Sequence, residues 1–430
     1  MKSAILLPAL LTGISFAAIR ALAFAAAVLL AASASGATEP PATPPQTLTT
    51  SAAPAAPAAP AATPVSPAPA PTTYHDVFIS GQEGYASYRI PAVIVTPPGT
   101  VLAFAEARLR PTDQAENDIV LKRSTDGGAT WSPLKLLHED GANSLNNPTV
   151  VQDQNTRRLF LFYQRIPAHL KEHSKNTATG LEGPDIYRNF LLTSDDDGQT
   201  WAAPRDLTAT TKRPDRATTL ASGPGIGIQL TRGPHKNRLL IPFNQGPYGQ
   251  WENYTIFSDD AGLTWNLGEN VPGALIPDGK GGLRSQINEV QIAELPDGSV
   301  LLDSRQFAGP KTRRTSRSQD GGRTWSPVAE NPALPDPSCM ASTFRYSFPT
   351  ADTPGILLHS GPDSTKRERG TLFLSTDDGQ TWPRQQIIHP GPFAYSILTK
   401  LPDGTIGCLF EADNYQRLVF ARIPLPPAKP

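Results

Sequence analysis

The sequence predicts an all-β fold made of repeated small sheets, and three observations lead to that prediction. The phrase Ser-x-Asp-x-Gly-x-Thr-Trp occurs five times, at intervals of 57 to 70 residues, beginning at Ser124, Ser194, Ser258, Ser318 and Ser375. Strand-like stretches such as "DIVLKRS" and "GTLFLS" lead into each copy, and Asp and Gly provide turn chemistry. A repeat of this period built from short strands is typical of a β-propeller. About 357 residues at about 60 per repeat predict six blades, the sixth without the phrase.

The first 73 residues differ from the rest of the chain. Residues 1–37 contain a basic Lys2, the apolar run Ala21–Ala32 and small residues, "ASASGA", which together predict a signal peptide for export. A retained membrane anchor is the alternative, but the apolar run is shorter than the ~20 residues that a spanning helix needs. Residues 38–73 are rich in Ala and Pro, as in "SAAPAAPAAPAATPVSPAPAP", which predicts a linker outside the fold. We therefore expect a globular domain of residues 74–430, periplasmic or secreted, with no stable membrane insertion after cleavage.

The overall composition argues against several classes of function. A formal net charge of −1 gives no indication of binding to nucleic acid or to an anionic membrane surface. Two cysteines, Cys339 and Cys408, could form one disulfide in an exported protein, but the sequence does not establish that pairing. The stretch "GPGIG" at Gly223–Gly227 lacks both the spacing and the strand–helix context of a nucleotide site.

One short stretch, "HLKEH" at His169–His173, matches the His-x-x-Glu-His pattern of inverted zinc peptidases. Two histidines four residues apart on one helical face could hold zinc together with the glutamate. The following residues, "SKNTATGLEGPD", cannot continue a long helix. We expect an exposed helical turn here, without a metal or an organic cofactor. A zinc hydrolase using His169 and His173 is an alternative that sensitivity to chelators would reveal.

Five copies of one phrase indicate a folding element, because an active site needs a single constellation. The phrase matches the Asp-box of sialidases, and "YRIP" at Tyr88–Pro91 resembles the motif that opens sialidase catalytic domains. Further matches are "FAEAR" at Phe104–Arg108, "NEVQIAELPDGSVLLDSR" at Asn288–Arg305, "DPSCMAS" at Asp336–Ser342 and "AYSIL" at Ala394–Leu398. From about residue 74 to residue 424, the chain resembles bacterial exo-α-sialidases of glycoside hydrolase family 33. The resemblance implies that it removes terminal α-linked sialic acids from glycans, glycoproteins or glycolipids.

The resemblance implies a cluster of arginines, because sialic acid carries a carboxylate on its anomeric carbon. The planar fork of arginine pairs with a carboxylate through two hydrogen bonds and stays charged. Arg89 in "YRIP", Arg305 and Arg367 match the three arginines of the family, and Arg369 competes with Arg367 for the third position. Arg108 is expected to line the same pocket.

The resemblance also implies three catalytic residues. Tyr395 matches the nucleophile, and Glu289 matches the base that takes its proton. A neutral tyrosine avoids the repulsion that a carboxylate nucleophile would meet at a carbon bearing a carboxylate, and sialidases are exceptions to the rule of two catalytic carboxylates. Asp113 matches the general acid, with Asp118 as a competing carboxylate of the pocket. The expected reaction is a retaining double displacement through a sialyl–tyrosine intermediate.

The family also suggests a supporting carboxylate and leaves alternatives open. Glu411, in "LFEAD", matches the carboxylate that holds the first arginine in place. A sialoside-binding propeller without turnover is one alternative function. A trans-sialidase or a sialidase with an anhydro product would share the same core residues.

Overall fold

A computed structural model describes residues 71–426. Within this range the chain forms 27 β-strands and one four-residue helix, α1 (Thr208–Thr211), which confirms the all-β prediction. The expected signal peptide and nearly all of the expected linker lie outside the described residues. In the described part of the chain, no helix is long and apolar enough to cross a bilayer.

Strands β2 to β15 (residues 87–267) form three sheets, which are antiparallel except for one short parallel pair. Sheet I consists of β2 (Ser87–Val95), β3 (Val101–Arg108), β4 (Asn117–Ser124) and β5 (Lys135–His138). Sheet II consists of β6 (Ser144–Gln152), β7 (Leu159–Ile166), β8 (Arg188–Ser194) and β9 (Arg205–Asp206), with β11 (Gly225–Ile226) added parallel to β6. Sheet III consists of β10 (Thr219–Ser222), β13 (Leu239–Gly246), β14 (Glu252–Ser258) and β15 (Asn266–Leu267), with β12 (Ile228–Gln229) paired to β13.

The remaining strands form a ribbon and two sheets. The ribbon pairs β16 (Leu275–Pro277) with β17 (Leu283–Ser285). Sheet IV consists of β18 (Ile287–Glu294), β19 (Val300–Gln306), β20 (Thr312–Ser318) and β21 (Ala329–Pro335). Sheet V runs in the order β1-β27-β26-β25-β24-β23-β22, with β1 (Thr73–Ile79), β22 (Ser342–Ser347), β23 (Ile356–Pro362), β24 (Glu368–Ser375), β25 (Arg384–Lys400), β26 (Ile406–Ala412) and β27 (Arg417–Ile423).

Several strands are buried on both faces, which explains their nearly continuous apolar sequences. Every residue of β3, "VLAFAEAR", is buried, and the same holds for β26, "IGCLFEA". Strands covered on both sides do not alternate between apolar and polar residues. Charged residues within such strands, Glu106 and Glu411 among them, are therefore placed in the interior and need partners there.

The repeated phrase forms the same turn each time. In the first copy, Ser124 Oγ donates to Asp126 Oδ1 at 2.7 Å, and the amide of Gly128 donates to Ser124 Oγ at 2.8 Å. Thr130 donates to the Asp126 carboxylate through its amide at 2.9 Å and its hydroxyl at 2.6 Å. Equivalent serine, glycine and threonine bonds recur in the other four copies. The aspartate thus satisfies the turn and has no reactive role.

These turns also join neighbouring sheets. Gly128 has a φ of +92°, and a Cβ there would lie 2.3 Å from Phe420 of β27. Trp131 packs edge-on against the same ring, with centroids 5.5 Å apart. Glycine is required both by the backbone conformation and by the close approach of another sheet. The phrase therefore acts as a packing element between sheets.

Candidate active site

A cavity of about 410 Å³ brings together residues from sheets I to V. Its size is typical of a site for a small ligand. Seven of the residues expected from the sequence line it: Arg89, Arg108, Asp113, Glu289, Arg305, Arg367 and Tyr395. None of the serine, aspartate, glycine, threonine or tryptophan residues of the five repeated phrases lines this cavity.

The centre of the cavity is a hydrogen-bonded pair formed by Tyr395 of β25 and Glu289 of β18. The Tyr395 hydroxyl donates to the Glu289 carboxylate, at 2.6 Å from Oε1 and 2.7 Å from Oε2. Arg305 of β19 donates from Nη1 to Glu289 Oε2 at 2.6 Å and to Tyr395 Oη at 2.9 Å. A tyrosine with a carboxylate in direct contact can pass its proton to that carboxylate as it attacks.

The phenol of Tyr395 is neutral in the unliganded protein. Burial raises its pKa well above the usual value, and the charge of Glu289 acts in the same direction. The guanidinium groups of Arg305 and Arg367 oppose this shift, since both favour the phenolate. The hydroxyl is therefore held as a hydrogen-bond donor beside its acceptor.

Arg89 of β2 is fixed by Glu411 of β26. Its Nε and Nη2 donate to the two carboxylate oxygens of Glu411, at 2.6 and 3.2 Å. The same carboxylate accepts from the amides of Ile90 at 2.9 Å and Tyr395 at 3.2 Å. Glu411 is 1% exposed, so these four donors stabilise a buried charge. One carboxylate thereby positions both an arginine and the backbone of the candidate nucleophile.

The backbone next to Arg89 is strained. Ile90 has a φ of +57°, a conformation that is unfavourable for a β-branched residue. The pairing of β2 with β3 is irregular between Arg89 and Ala92. Such strain persists where surrounding contacts enforce it, and the bond from the Ile90 amide to Glu411 is one of these contacts. The bulge in "YRIP" turns Arg89 into the cavity.

The structure distinguishes the two candidates for the third arginine. Arg367 lines the cavity and donates to Tyr415 Oη at 3.1 Å and to the Ser338 carbonyl at 2.7 Å. Its guanidinium lies 5.4 Å from the centre of the Tyr395 ring. Arg369 instead pairs with Asp363 at 3.2 Å and is 53% exposed. Arg367 is the one that joins Arg89 and Arg305.

Arg108 and Asp113 also line the cavity, and they are hydrogen-bonded to each other. Arg108 donates to the buried Glu106 at 2.6 and 3.0 Å and to Asp113 Oδ1 at 2.9 Å. The Asp113 side chain is 73% exposed at the cavity mouth. Partial desolvation raises its pKa, but Arg108, with smaller contributions from Arg89 and Arg367, lowers it by more. The net pKa of Asp113 is therefore below its usual value in the unliganded protein.

Asp118, expected in the pocket, lies outside the cavity lining. It is buried in β4, where it accepts a hydrogen bond from the Tyr85 hydroxyl at 2.6 Å. Successive side chains of a strand point to opposite faces. Its neighbour Asn117 does not line the cavity either, but it donates to the Asp113 carbonyl at 2.6 Å. The structure therefore places Asp118 beside Tyr85 and outside the cavity lining.

Tyr415 was not anticipated from the sequence. Its ring lies 3.9 Å from the guanidinium of Arg89, and its hydroxyl accepts from Arg367. It lies in a turn in which Asp413, Asn414 and Tyr415 all have positive φ. Asn and Asp are the non-glycine residues that tolerate this conformation best, so "DN" after the strand indicated a turn but not its contacts.

One wall of the cavity carries buried polar atoms without partners. These are Asn146 Oδ1, Gln164 Oε1, Tyr187 Oη and Asn244 Nδ2. Buried polar atoms normally have hydrogen-bond partners. The four residues line the cavity, but these particular atoms are themselves buried.

The "HLKEH" stretch contributes to this cavity through its glutamate. Glu172 lines the cavity, and burial together with the charge of Glu289 raises its pKa to about 7. His169 bonds to Asp185 at 2.6 Å, and the His173 ring lies 6.1 Å from that of Tyr248. Among residues 71–426, no group of three or more His, Cys, Asp or Glu side chains could hold a metal ion. The zinc alternative thus has no ligand set in this part of the chain.

The two cysteines are both buried and free. Cys339 lies close enough to the arginine cluster for the charge of Arg367 to act on it, but burial raises its thiol pKa to about 12. Cys408 lies in β26, and burial raises its pKa to about 12 as well. Both thiols are therefore protonated, unreactive core residues.

Comparisons with known proteins show which family this chain resembles. The family model described as "BNR repeat-like domain" matches residues 99–408. A sialidase of Micromonospora viridifaciens is 36% identical over 81% of this chain and 53% of its own length. Sialidase-2 of Cricetulus griseus is 30% identical over 81% of this chain and 95% of its own length. The solved Hadza microbial sialidase Hz136 superposes with a TM-score of 0.70 at 28% identity, covering 80% of this chain and 67% of that one.

The lengths of these relatives differ. The chain spans about half of the Micromonospora sialidase and nearly all of the hamster protein. The match to the family model begins just before β3 of sheet I and ends within β26. On the breadth of these matches, the chain belongs to the BNR-repeat sialidase family.

Proposed function

We propose that the protein is an exo-α-sialidase that hydrolyses terminal α-linked sialic acids of glycoconjugates through a retaining mechanism. The observation that carries the proposal is the Tyr395–Glu289 hydrogen bond beside three arginines from different sheets. A carbohydrate with a carboxylate on its reacting carbon needs this combination of anchor and neutral nucleophile.

The first step of the proposal is anchoring. Arg89, Arg305 and Arg367 converge around the ring and hydroxyl of Tyr395. Their charges favour a bound carboxylate, and guanidinium forks hold it in a fixed orientation. The anomeric carbon bonded to that carboxylate would then lie next to the tyrosine oxygen.

The second step is formation of the intermediate. Tyr395 Oη forms a bond to the anomeric carbon while its proton passes to Glu289. The bond from that carbon to the glycosidic oxygen breaks, and the oxygen takes a proton from Asp113. Water then attacks the anomeric carbon, giving its proton to Asp113, and the bond to Tyr395 breaks as Glu289 returns the proton. The anomeric configuration is retained after two displacements.

The charge of the substrate supports the acid role of Asp113. In the unliganded protein its pKa is lowered by Arg108, Arg89 and Arg367. A substrate carboxylate seated on the arginines offsets part of their positive potential and raises the pKa of Asp113. The proton needed by the leaving oxygen is thus favoured when the substrate is bound.

We also infer that residues 74–430 form a six-bladed β-propeller. Strand β25 pairs with β24 through residues 384–392 and with β26 through residues 393–400, so sheet V divides into two four-stranded units. With sheets I to IV this gives six units. The turn glycines Gly128, Gly198, Gly262, Gly322 and Gly379 each lie against a side chain of the preceding unit. The first unit meets the last at Phe420, as a closed ring requires.

The proposal keeps the signal peptide of residues 1–37 and the linker of residues 38–73, nearly all of which lie outside the described residues. It requires no metal and no organic cofactor. The expected location is the periplasm or the exterior of the cell.

The test is fluorophore release from a 4-methylumbelliferyl α-sialoside by the unaltered protein, by Tyr395→Phe and by a chelator-treated sample. We expect release that survives the chelator and falls at least about 100-fold in kcat in Tyr395→Phe. Proton NMR should show that the sialic acid is first released as the α-anomer. An anhydro product, or transfer of the sialic acid to another molecule, would indicate one of the two alternative reactions instead of hydrolysis. Binding of sialic acid without release would support a lectin-like protein instead.

A further inference from the structure

We propose that an aromatic rim, Tyr248, Trp251 and Phe307, binds the sugar ring to which the sialic acid is attached. The inference rests on the proposed function and extends it to the leaving group. The rim would favour sialosides with a pyranose aglycone over those with a small alkyl aglycone.

The rim consists of three aromatic rings that pack edge-on against one another and line the cavity. Trp251 is 2% exposed and donates from Nε1 to Thr219 Oγ1 at 3.2 Å. Tyr248 packs edge-on against one side of it, with centroids 5.1 Å apart, and Phe307 against another at 4.8 Å. The buried tryptophan therefore fixes two outer rings.

Those outer rings are exposed. Tyr248 is 50% and Phe307 is 36% exposed, and both line the cavity. The other exposed large apolar side chains of residues 71–426 do not line it: Tyr74, Leu136, Leu263, Leu283 and Ile387. Exposed apolar surface that borders a polar cavity is typical of a binding site.

The rim is connected to both sides of the catalytic centre. Phe307 follows Arg305 by two residues on the chain continuing from β19. On the other side, the His173 ring contacts Tyr248, and Lys171 of the same loop donates to the carbonyl of Gln114, the neighbour of Asp113. The leaving group is attached to the oxygen that Asp113 protonates, so it must lie at the mouth that these residues surround.

The chemistry of a pyranose fits this surface better than it fits the rest of the cavity. Most of the other residues that line the cavity are charged or polar, which suits a carboxylate and hydroxyls. A pyranose also has a face of C–H groups, which can lie on an exposed aromatic ring and remove apolar area from water. The rim presents such rings, and it adds no charge that would repel a neutral sugar.

The experiment compares two substrates, α2,3-sialyllactose and methyl α-sialoside, which share the sialic acid and differ in aglycone. Tyr248→Ala and Phe307→Ala should each raise KM for sialyllactose about three- to tenfold. Their kcat/KM for methyl sialoside should change less than twofold. Tyr248→Phe keeps the ring and should restore the KM for sialyllactose. Leu263→Ala, an exposed apolar residue away from the cavity, is the matched control.

Two results would overturn the inference. Equal losses on both substrates would place the rim against the sialic acid itself, and unchanged KM values would mean that no sugar rests there. If the unaltered protein cleaves neither substrate, the proposed function fails, but calorimetric Kd values for the two compounds still test the rim. In that case, loss of affinity for sialyllactose alone in Tyr248→Ala supports the rim, and equal affinities across the variants contradict it.

Discussion

The carboxylate of Glu411 should control substrate binding although it does not line the main cavity. It is 1% exposed and accepts hydrogen bonds from Arg89, from the amide of Ile90 and from the amide of Tyr395. Glu411→Gln keeps the shape of the side chain but removes its charge. The side-chain NH2 group of the new glutamine would point at N–H donors, from which both oxygens of the carboxylate accept hydrogen bonds.

The size of the effect follows from these contacts. Removing one partner of a buried ion pair costs about 3–5 kcal/mol, and one retained amide oxygen places Glu411→Gln at the lower end, about 3 kcal/mol. An unfolding entropy of ~2.1 cal/mol/K per residue over roughly 350 residues converts this to a fall in Tm of about 4 °C. Because Arg89 is no longer held, KM for a sialoside should rise at least about tenfold, and kcat should fall by a smaller factor.

Steady-state kinetics and thermal unfolding together test this prediction. The matched control is Glu294→Gln, because Glu294 is also a buried carboxylate, bonded to the backbone amides of Thr231 and Arg232 and distant from the cavity lining. That control should lower Tm with KM unchanged. A Glu411→Gln protein with a lowered Tm but the KM of the unaltered protein would show that Glu411 only stabilises the fold, and the positioning argument would be refuted.

Three further predictions concern Arg367 with Arg369, Asp113 and Glu172. Arg367→Ala should raise KM at least about tenfold and Arg369→Ala less than twofold in the same assay. Asp113→Asn should lower kcat about 100-fold or more. In the unaltered protein, pH profiles should place the alkaline limb of kcat at higher pH than the alkaline limb of kcat/KM. The pKa of Glu172 is about 7 in the folded protein and 4.5 as its ordinary value. Between pH 4.5 and pH 7 the folded protein therefore binds more protons at this group than the unfolded chain does. The free energy of unfolding consequently falls as pH rises through this window. Glu172→Gln should therefore match the unaltered protein near pH 4 and exceed it at pH 8, by at most about 3 kcal/mol in thermal or urea unfolding.

The features that the sequence predicted are mainly local. The turn around Asp126 is satisfied by Ser124, Gly128 and Thr130, all within six residues of one another. Its chemistry is therefore visible in any one copy, and five copies reveal the spacing of the sheets. The all-β class follows from the same local pattern.

Features that depend on contacts between distant segments were not accessible in the same way. Tyr415 contacts Arg89 and Arg367, which are 326 and 48 residues away in the sequence. The motif gave no sign of this contact, because "DNYQ" has only the pattern of a turn. In the sequence Glu172 is part of a zinc-like pattern, whereas in the structure it lines the same cavity as Glu289, which is 117 residues away in the sequence.

In the remaining cases, the two residues compared are only one or two positions apart in the sequence. Asp118 and its neighbour Asn117 point to opposite faces of β4, and pairing with β3 sets the face on which each lies. Arg367 and Arg369 have the same residue type, but Arg369 has a φ of +56° and turns toward Asp363. Strand periodicity alone gives two choices at such positions, and the tertiary fold selects one.

The substrate carboxylate should act on the two catalytic residues in opposite ways. By offsetting the charge of the arginines, it raises the pKa of Asp113, which makes a proton available for the leaving oxygen. The same change removes part of the stabilisation that Arg305 and Arg367 give to a Tyr395 phenolate. Ionisation of the tyrosine before attack therefore becomes less favourable as the substrate binds. The direct contact of 2.6 Å with Glu289 resolves this conflict, because the proton can leave while the new bond forms and no free phenolate is required.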